Sequence, residues 1–151
     1  IVRQKENLNY TLNQWRFKKK KIVFTNGCFD ILHRGHVEYL AKAAELGDKL
    51  IIGLNTDSSV RRLKGENRPV NNEEARAILL SSLIFTDKII LFEEDTPLQL
   101  INFIQPDVLV KGSDYQPEEI AGYDIVKTKG GEVITIELTK GFSTTSILKK
   151  I

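Results

Sequence analysis

Ile22-Val23-Phe24-Thr25-Asn26-Gly27-Cys28-Phe29-Asp30-Ile31-Leu32-His33-Arg34-Gly35-His36 is the stretch on which the reading of this chain turns. It opens as an apolar strand, passes through a glycine-containing turn and leads into a helical apolar pattern that starts at Val37. A strand, a turn and a helix start form the place where an α/β protein receives phosphate, because unpaired backbone N–H groups converge there. Both histidines of the chain lie in this stretch, three residues apart. That spacing is expected to set His33 and His36 on one face of the first helical turn. Near the positive end of the helix they should resist protonation until a polyphosphate arrives, and then donate hydrogen bonds to it. Gly35 between them is expected to let a nucleotide approach the backbone.

Outward from this stretch, apolar strand candidates at 22–26, 49–54, 88–92, 107–111 and 132–138 alternate with helix candidates at 36–46, 57–63, 72–83, 97–104, 117–121 and 144–150. The strands are nearly continuous in Ile, Leu and Val, as in a parallel sheet buried on both faces. With right-handed crossovers the expected fold is α/β, a single Rossmann-like doubly wound parallel sheet. Gly47 is a candidate C′ residue closing the first of these helices, and Thr96-Pro97 reads as a cap followed by an N1 proline. Residues 1–21, polar and ending in Lys18-Lys19-Lys20-Lys21, read as a lead-in or peripheral helix ahead of a domain spanning 22–151. The lysine run itself reads first as a solvated charge cluster.

The 151 residues suit one domain, and 41% hydrophobic residues can fill its core. A net charge of +2 is too balanced for a dedicated nucleic-acid or anionic-membrane binder. No apolar run approaches ~18 residues, and no signal-peptide pattern is present. One cysteine forms no intramolecular disulfide, in keeping with an expected cytoplasmic location. Met is absent even at position 1, so the chain is expected to lack its natural start.

Gly27-Cys28-Phe29-Asp30-Ile31-Leu32-His33-Arg34-Gly35-His36 resembles the motif of the HxGH nucleotidyltransferase superfamily, in its cytidylyltransferase-like branch. Gly141-Phe142-Ser143-Thr144-Thr145-Ser146-Ile147 is similar to that branch's GxSTT element. Further phrases resemble one family, the D-glycero-D-manno-heptose 1-phosphate adenylyltransferases. These are Thr25–Asp30, Asn55-Thr56-Asp57, Arg61-Arg62-Leu63-Lys64-Gly65, Arg68-Pro69 and Val110-Lys111-Gly112-Ser113-Asp114-Tyr115. Two positions depart from the pattern. Ser113 replaces a usual second glycine, and Leu138 stands where glycerol-3-phosphate cytidylyltransferases carry an arginine.

The resemblance implies transfer of AMP from ATP to a heptose 1-phosphate, with Mg²⁺ arriving on the nucleotide and a sugar kinase as fusion or working partner. It implies a homo-oligomer, a dimer, and no nucleic-acid or membrane partner. Asn26, Gly27, Cys28, Phe29, Asp30, His33, Gly35 and His36 are the nucleotide-binding turn that it implies. Gly141, Phe142, Ser143, Thr144 and Thr145 would hold the β- and γ-phosphates. Lys64, Arg68 and Arg76 match basic positions around the triphosphate and acceptor phosphate, with Lys64 and Arg76 assigned to catalysis beside the two histidines.

The residues support these roles and leave alternatives open. Lys64 and Arg68 flank a loop after the second strand, which suits a phosphate clamp. Lys111 ends the fourth strand at the ligand-binding edge, with Asp114 and Tyr115 as candidates for ribose and base. Asn55 and Asp57 can bind sugar hydroxyls or cap the next helix. Asp30 can serve the ligand or only cap its turn. Arg76 can pair with Glu73 on a helix surface, and Ser143 can be an ordinary helix cap. Cys28, Asp30, His33 and His36 contain zinc-type donors, but Cys28 precedes the turn and need not converge with the rest, so no metal ligand is assigned. Besides adenylyl transfer, cytidylyl transfer to glycerol 3-phosphate or a similar phosphorylated alcohol and a non-catalytic nucleotide-binding module remain as readings.

Overall fold

The computed structural model describes residues 1–151. Five strands, β1 (Ile22–Gly27), β2 (Lys49–Asn55), β3 (Lys88–Phe92), β4 (Val108–Gly112) and β5 (Glu132–Ile136), form one sheet in the order β3-β2-β1-β4-β5. Every neighbouring pair is parallel, with Ile22 opposite Lys49 and Val23 opposite Val108 as registers of the central strand. The expected doubly wound α/β sheet is therefore present, and its order reverses between β1 and β4.

Both faces are covered, as the unbroken apolar strands require. Successive residues alternate between two cores. Val23, Leu50 and Ile52 pack with Leu40 and Ala43 of α2 (Arg34–Ala44) and with Ala77 and Leu80 of α4 (Glu73–Ser81). Phe24, Ile51 and Ile90 pack on the other face, against Leu100, Ile101 and Ile104 of α5 (Leu98–Ile104). Leu8 and Leu12, the latter on α1 (Asn9–Phe17), are fully buried in that second core. Val2 adds one parallel bridge to Ile90 at the sheet edge. Lys21 reaches Glu132 at 3.4 Å, while Lys18, Lys19 and Lys20 are exposed.

Several local expectations shift. Gly47 does not close α2: that helix ends at Ala44, with Glu45 as its right-handed C-cap. Gly47 is needed for close packing instead, since a Cβ there would lie 2.7 Å from Val23 Cγ2 and 2.8 Å from the Lys21 carbonyl. Pro97 is itself the N-cap of α5, one position earlier in the helix frame than expected. The helix expected at 117–121 is only a 3-10 turn, Pro117–Glu119. Gly122, at φ +91°, then redirects the chain into the short α6 (Tyr123–Thr128), which the sequence reading lacks. Six residues give too weak a periodic signal, and packing of the fully buried Val126 holds this helix in place. α3 (Asp57–Lys64) and α7 (Thr144–Leu148) fall close to expectation. Strand β5 stops two residues early, at Ile136.

Candidate active site

The turn after β1 is held in a costly shape. Phe29 adopts φ +45°, a left-handed conformation that costs a bulky residue ~1–3 kcal/mol. Burial of its ring offsets that cost, and Gly27 makes the room: a Cβ there would lie 2.9 Å from the ring. The chain then reaches His33 in extended backbone and starts α2 at Arg34.

His33 is thus the N-cap of α2 rather than part of its first turn, and His36 lies inside the helix. The His33 Nδ1 accepts the His36 backbone N–H at 3.3 Å, which leaves the His33 proton on Nε2 as a donor. The two rings stack at 3.7 Å, with Phe29 edge-on to His36 at 5.2 Å. Burial, then the neighbouring His33 and Lys64, push His36 down to about 4 against a pull upward from the Ile31 backbone. Burial also lowers His33. Both rings are therefore neutral at pH 7, and desolvation is the main cause rather than the helix end. Gly35 lines the cavity, yet its missing side chain also admits the His33 ring and Phe142: a Cβ would lie 3.0 Å from His33 Cε1 and 3.2 Å from Phe142 Cβ.

Asp30 is buried and reaches across the chain. Its carboxylate accepts the Val70 N–H at 2.8 Å, the Asn71 N–H at 3.0 Å and the Arg68 Nε–H. Burial works against ionisation, but these donors hold the carboxyl below its usual range. Asp30 therefore anchors the loop that carries Arg68 and does more than cap its own turn.

Arg76 belongs to neither of the settings expected for it. It is 1% exposed, does not line the cavity and does not pair with Glu73. Its guanidinium donates to the carbonyls of Cys28 and Asn55 at 2.8 Å each, to the Asn71 carbonyl at 2.9 Å and to Asp57 at 2.8 Å. Asp57 is thereby drawn off the cavity wall. The cap of α3 is Thr56, which accepts the Ser59 N–H, rather than Asn55 or Asp57.

Above the carboxyl ends of the strands lies a cavity of about 700 Å³. Asn26, Gly27, Cys28, Phe29, Asp30, His33 and His36 form its floor. Asn55, Lys64 and Arg68 stand on the β2 side, and Lys111, Asp114 and Tyr115 on the β4 side. Phe142, Ser143, Thr144 and Thr145 close it from the last helix, while Gly141 bends the chain behind them at φ +84°. Burial lowers Lys111, opposed by Asp114, and its Nζ sits 5.2 Å from the Tyr115 ring centre. Burial raises the Cys28 thiol against the pull of Lys64, Arg76 and Arg68, so it is protonated at neutral pH. Ser113 lies outside the left-handed region and is exposed, so serine replaces glycine there without strain.

Sequence reasoning missed part of this wall. Tyr39 lines it, bonded to Thr25 at 2.8 Å, as do Asp95, Thr96 and Pro97 after β3 and Glu119 and Ile120 after β4. For the residues after β3 and β4 the available signal was their place beyond strand ends, where open α/β sheets bind ligands. Thr96-Pro97 was legible only as a helix start. No three His, Cys, Asp or Glu side chains converge as a metal-binding group.

The parallel sheet, with paired neutral imidazoles at its switch point and three flanking cations on the cavity wall, defines an α/β protein of the doubly wound class. The family model described as cytidylyltransferase-like matches residues 24–150, and the chain belongs to that family. It is 61% identical to the bifunctional protein HldE of Campylobacter concisus over 133 residues, which cover 88% of this chain and 27% of that protein. It is 53% identical to HldE of Wolinella succinogenes over 150 residues, 99% of this chain and 31% of that one. The chain thus spans less than a third of the length of these relatives. A crystal structure of the lipopolysaccharide core biosynthesis protein from Thermoplasma volcanium is 30% identical, with a TM-score of 0.65. The match covers 82% of this chain and 99% of that one.

Proposed function

We propose that this chain is an adenylyltransferase that moves AMP from ATP to D-glycero-β-D-manno-heptose 1-phosphate, giving ADP-heptose, a lipopolysaccharide core precursor, and pyrophosphate. The observation that carries the reading is the stacked neutral pair His33 and His36 on the cavity floor, with Lys64, Arg68 and Lys111 on its walls. Identity above 50% to bifunctional HldE proteins, and the naming of the structural relative for lipopolysaccharide core biosynthesis, support the choice of acceptor.

In the reaction an acceptor phosphate oxygen bonds to the α-phosphorus as the bond to the pyrophosphate oxygen breaks on the opposite side. The acceptor phosphate is already largely dianionic at pH 7, so no general base is needed. Charge gathers on the α-phosphoryl and bridging oxygens, where the His33 Nε2–H and the Lys64 and Lys111 ammonium groups act as donors. His36 lies against His33 and keeps that ring in place. Asn55, Lys64 and Arg68 hold the acceptor; Lys111, Asp114 and Tyr115 hold the nucleoside; Phe142, Ser143, Thr144 and Thr145 hold the β- and γ-phosphates. Arg76 and Asp57 act through the frame, by tying the β1 turn to the end of β2.

Mg²⁺ would enter with ATP and be held mainly by the phosphates, since Asp30, the carboxylate on the cavity floor, is already occupied by Arg68 and two amides. Leu138 on the cavity wall brings no charge to a triphosphate, which weighs against cytidylyl transfer to glycerol 3-phosphate. A sugar kinase is the natural partner, since it makes the acceptor phosphate, and the relatives are named bifunctional. The exposed apolar side chains Ile78, Leu79 and Ile84 on and after α4 suit a homo-oligomer. A cytoplasmic location fits a chain in which no helix is long and apolar enough to cross a membrane. The unit at work is 22–151, with 1–21 as a lead-in whose Leu8 and Leu12 complete its second core.

Pyrophosphate release tests the proposal, with ATP and CTP each offered alongside heptose 1-phosphate and glycerol 3-phosphate. Mg²⁺-dependent release with ATP and heptose 1-phosphate is expected. Faster release with CTP and glycerol 3-phosphate would overturn the assignment.

A further inference from the structure

The loop after β3 forms a wall of the cavity that no family motif assigns. Asp95, Thr96 and Pro97 line it, with Asp95 and Thr96 exposed and Pro97 buried. The loop is not slack. Three residues on one face of α3 pin it: Ser58 Oγ donates to Glu93 at 3.0 Å, Ser59 Oγ to the Glu94 carbonyl at 3.4 Å, and Arg62 Nε to Asp95 Oδ1 at 3.1 Å. Arg62 also donates to the Glu93 carbonyl. From Asn55 to Lys64, the same strand end and helix therefore carry the cation and amide of the β2-side wall and the staples that set the β3 loop.

The chemistry of this wall differs from that of the rest. Lys64, Arg68 and Lys111 attract phosphate, whereas a carboxylate repels it and accepts hydroxyl protons. Asp95 Oδ1 is engaged by Arg62, and Oδ2 has no hydrogen-bond partner within the chain. Thr96 has a hydroxyl that no protein group uses, because it caps no helix and Pro97 takes the N-cap position. Carboxylate and hydroxyl together form a surface for hydroxyl groups in the same cavity as the phosphate clamp. Asp57, the residue first expected to meet sugar hydroxyls, is held by Arg76 instead.

We infer that Asp95 and Thr96 bind hydroxyls on the carbon chain of the phosphorylated acceptor, so that the β3 loop selects acceptor length while the β1 turn serves the phosphates. The inference rests on the acceptor assignment made above. A phosphorylated polyol is oriented by charge at both ends: its phosphate is drawn to Lys64 and Arg68, and its hydroxyl end to Asp95. A three-carbon phosphorylated alcohol offers this wall fewer hydroxyls than a seven-carbon sugar does.

Calorimetry on the full chain, with heptose 1-phosphate and separately with a non-hydrolysable ATP analogue, reads the loop without turnover. Thr96→Val, which keeps the shape and removes the hydroxyl, and Asp95→Asn should each weaken heptose 1-phosphate binding about 10-fold, as the loss of one ligand hydrogen bond does. Affinity for the ATP analogue should not change, and Thr96→Ser should restore binding. The preference for heptose 1-phosphate over a hexose 1-phosphate of the same ring configuration should narrow in Thr96→Val, which a merely structural role would not produce. Weakened binding of the ATP analogue instead, or unchanged binding of both ligands, would overturn the inference. If the wild-type chain binds heptose 1-phosphate but releases no pyrophosphate with ATP, the transfer reading fails while the variants still decide the loop. If the wild-type chain binds no sugar 1-phosphate, both are overturned.

Discussion

Two arginine–carboxylate pairs flank the β1 turn, and they are buried in opposite senses. In Arg76–Asp57 the guanidinium is the inner partner, 0% exposed against 24% for the carboxylate. In Arg68–Asp30 the carboxylate is the inner partner, 1% exposed against 18% for the guanidinium. The buried Arg76 spends four of its five N–H groups on three carbonyls and Asp57, and it lines no part of the cavity. The buried Asp30 takes backbone amides and only the Nε of Arg68, so the terminal N–H groups of Arg68 remain available on the cavity wall. The same pair of charges makes a frame in one place and an arm on the cavity wall in the other. Which partner is desolvated decides the difference, since a buried ion needs every available bond.

The largest effect should fall on the frame. Arg76→Ala leaves Asp57 and two strand-end carbonyls without their donor, and is expected to cost ~3–5 kcal/mol in urea unfolding. Arg68→Ala leaves the buried Asp30 its two amides and should cost less, about 2–3 kcal/mol. Equal losses would break the distinction between frame and arm.

Next comes the floor between the two pairs. His36→Ala should lower turnover by ~10²-fold with the unfolding midpoint nearly retained, because the His33 donor that acts on developing phosphoryl charge loses the ring that positions it. A folded variant with near-wild-type turnover would remove the catalytic reading of the histidines.

The smallest of the three is a pH effect that separates His36 from Asp30. His36 has a folded pKa of about 4 against ~6.5 when unfolded, so the unfolded chain takes up the proton first as pH falls. Its contribution to stability is complete above pH ~6.5 and is lost between there and about 4, by about 2.5 kcal/mol. The Asp30 carboxyl, held low, loses its contribution only in more acid solution, below the ordinary carboxylate range. Urea midpoints measured between pH 7 and 4.5 should decline in the wild type and stay flatter in His36→Gln. Parallel curves would place the proton uptake elsewhere.

Much of this molecule was legible before any coordinates. The five strands stand within two residues of their expected positions, because unbroken runs of Ile, Leu and Val need only their own neighbours to be recognised. The histidine turn and the GFSTT segment were likewise visible as motifs. The failures share another character. Gly47 looked like a helix stop, yet it is required by Val23 and the Lys21 carbonyl across the sheet. The helix α6 was invisible because six residues carry little periodicity and its support is the core beneath Val126.

Element type, strand count and the clustering of both histidines at one helix start were properties of the sequence itself, since periodicity and short spacings are local. Which charged side chain faces the cavity was not. Arg76 finds Cys28 and Asp57 at separations of 48 and 19 residues, and Asp30 finds Arg68 at 38. Only the packed sheet brings those partners together, and with them it decides that Arg76 and Asp57 turn inward while Arg68 and Asp95 face the cavity. Burial makes that choice, because a charge withdrawn from water must take whatever partners the fold places beside it.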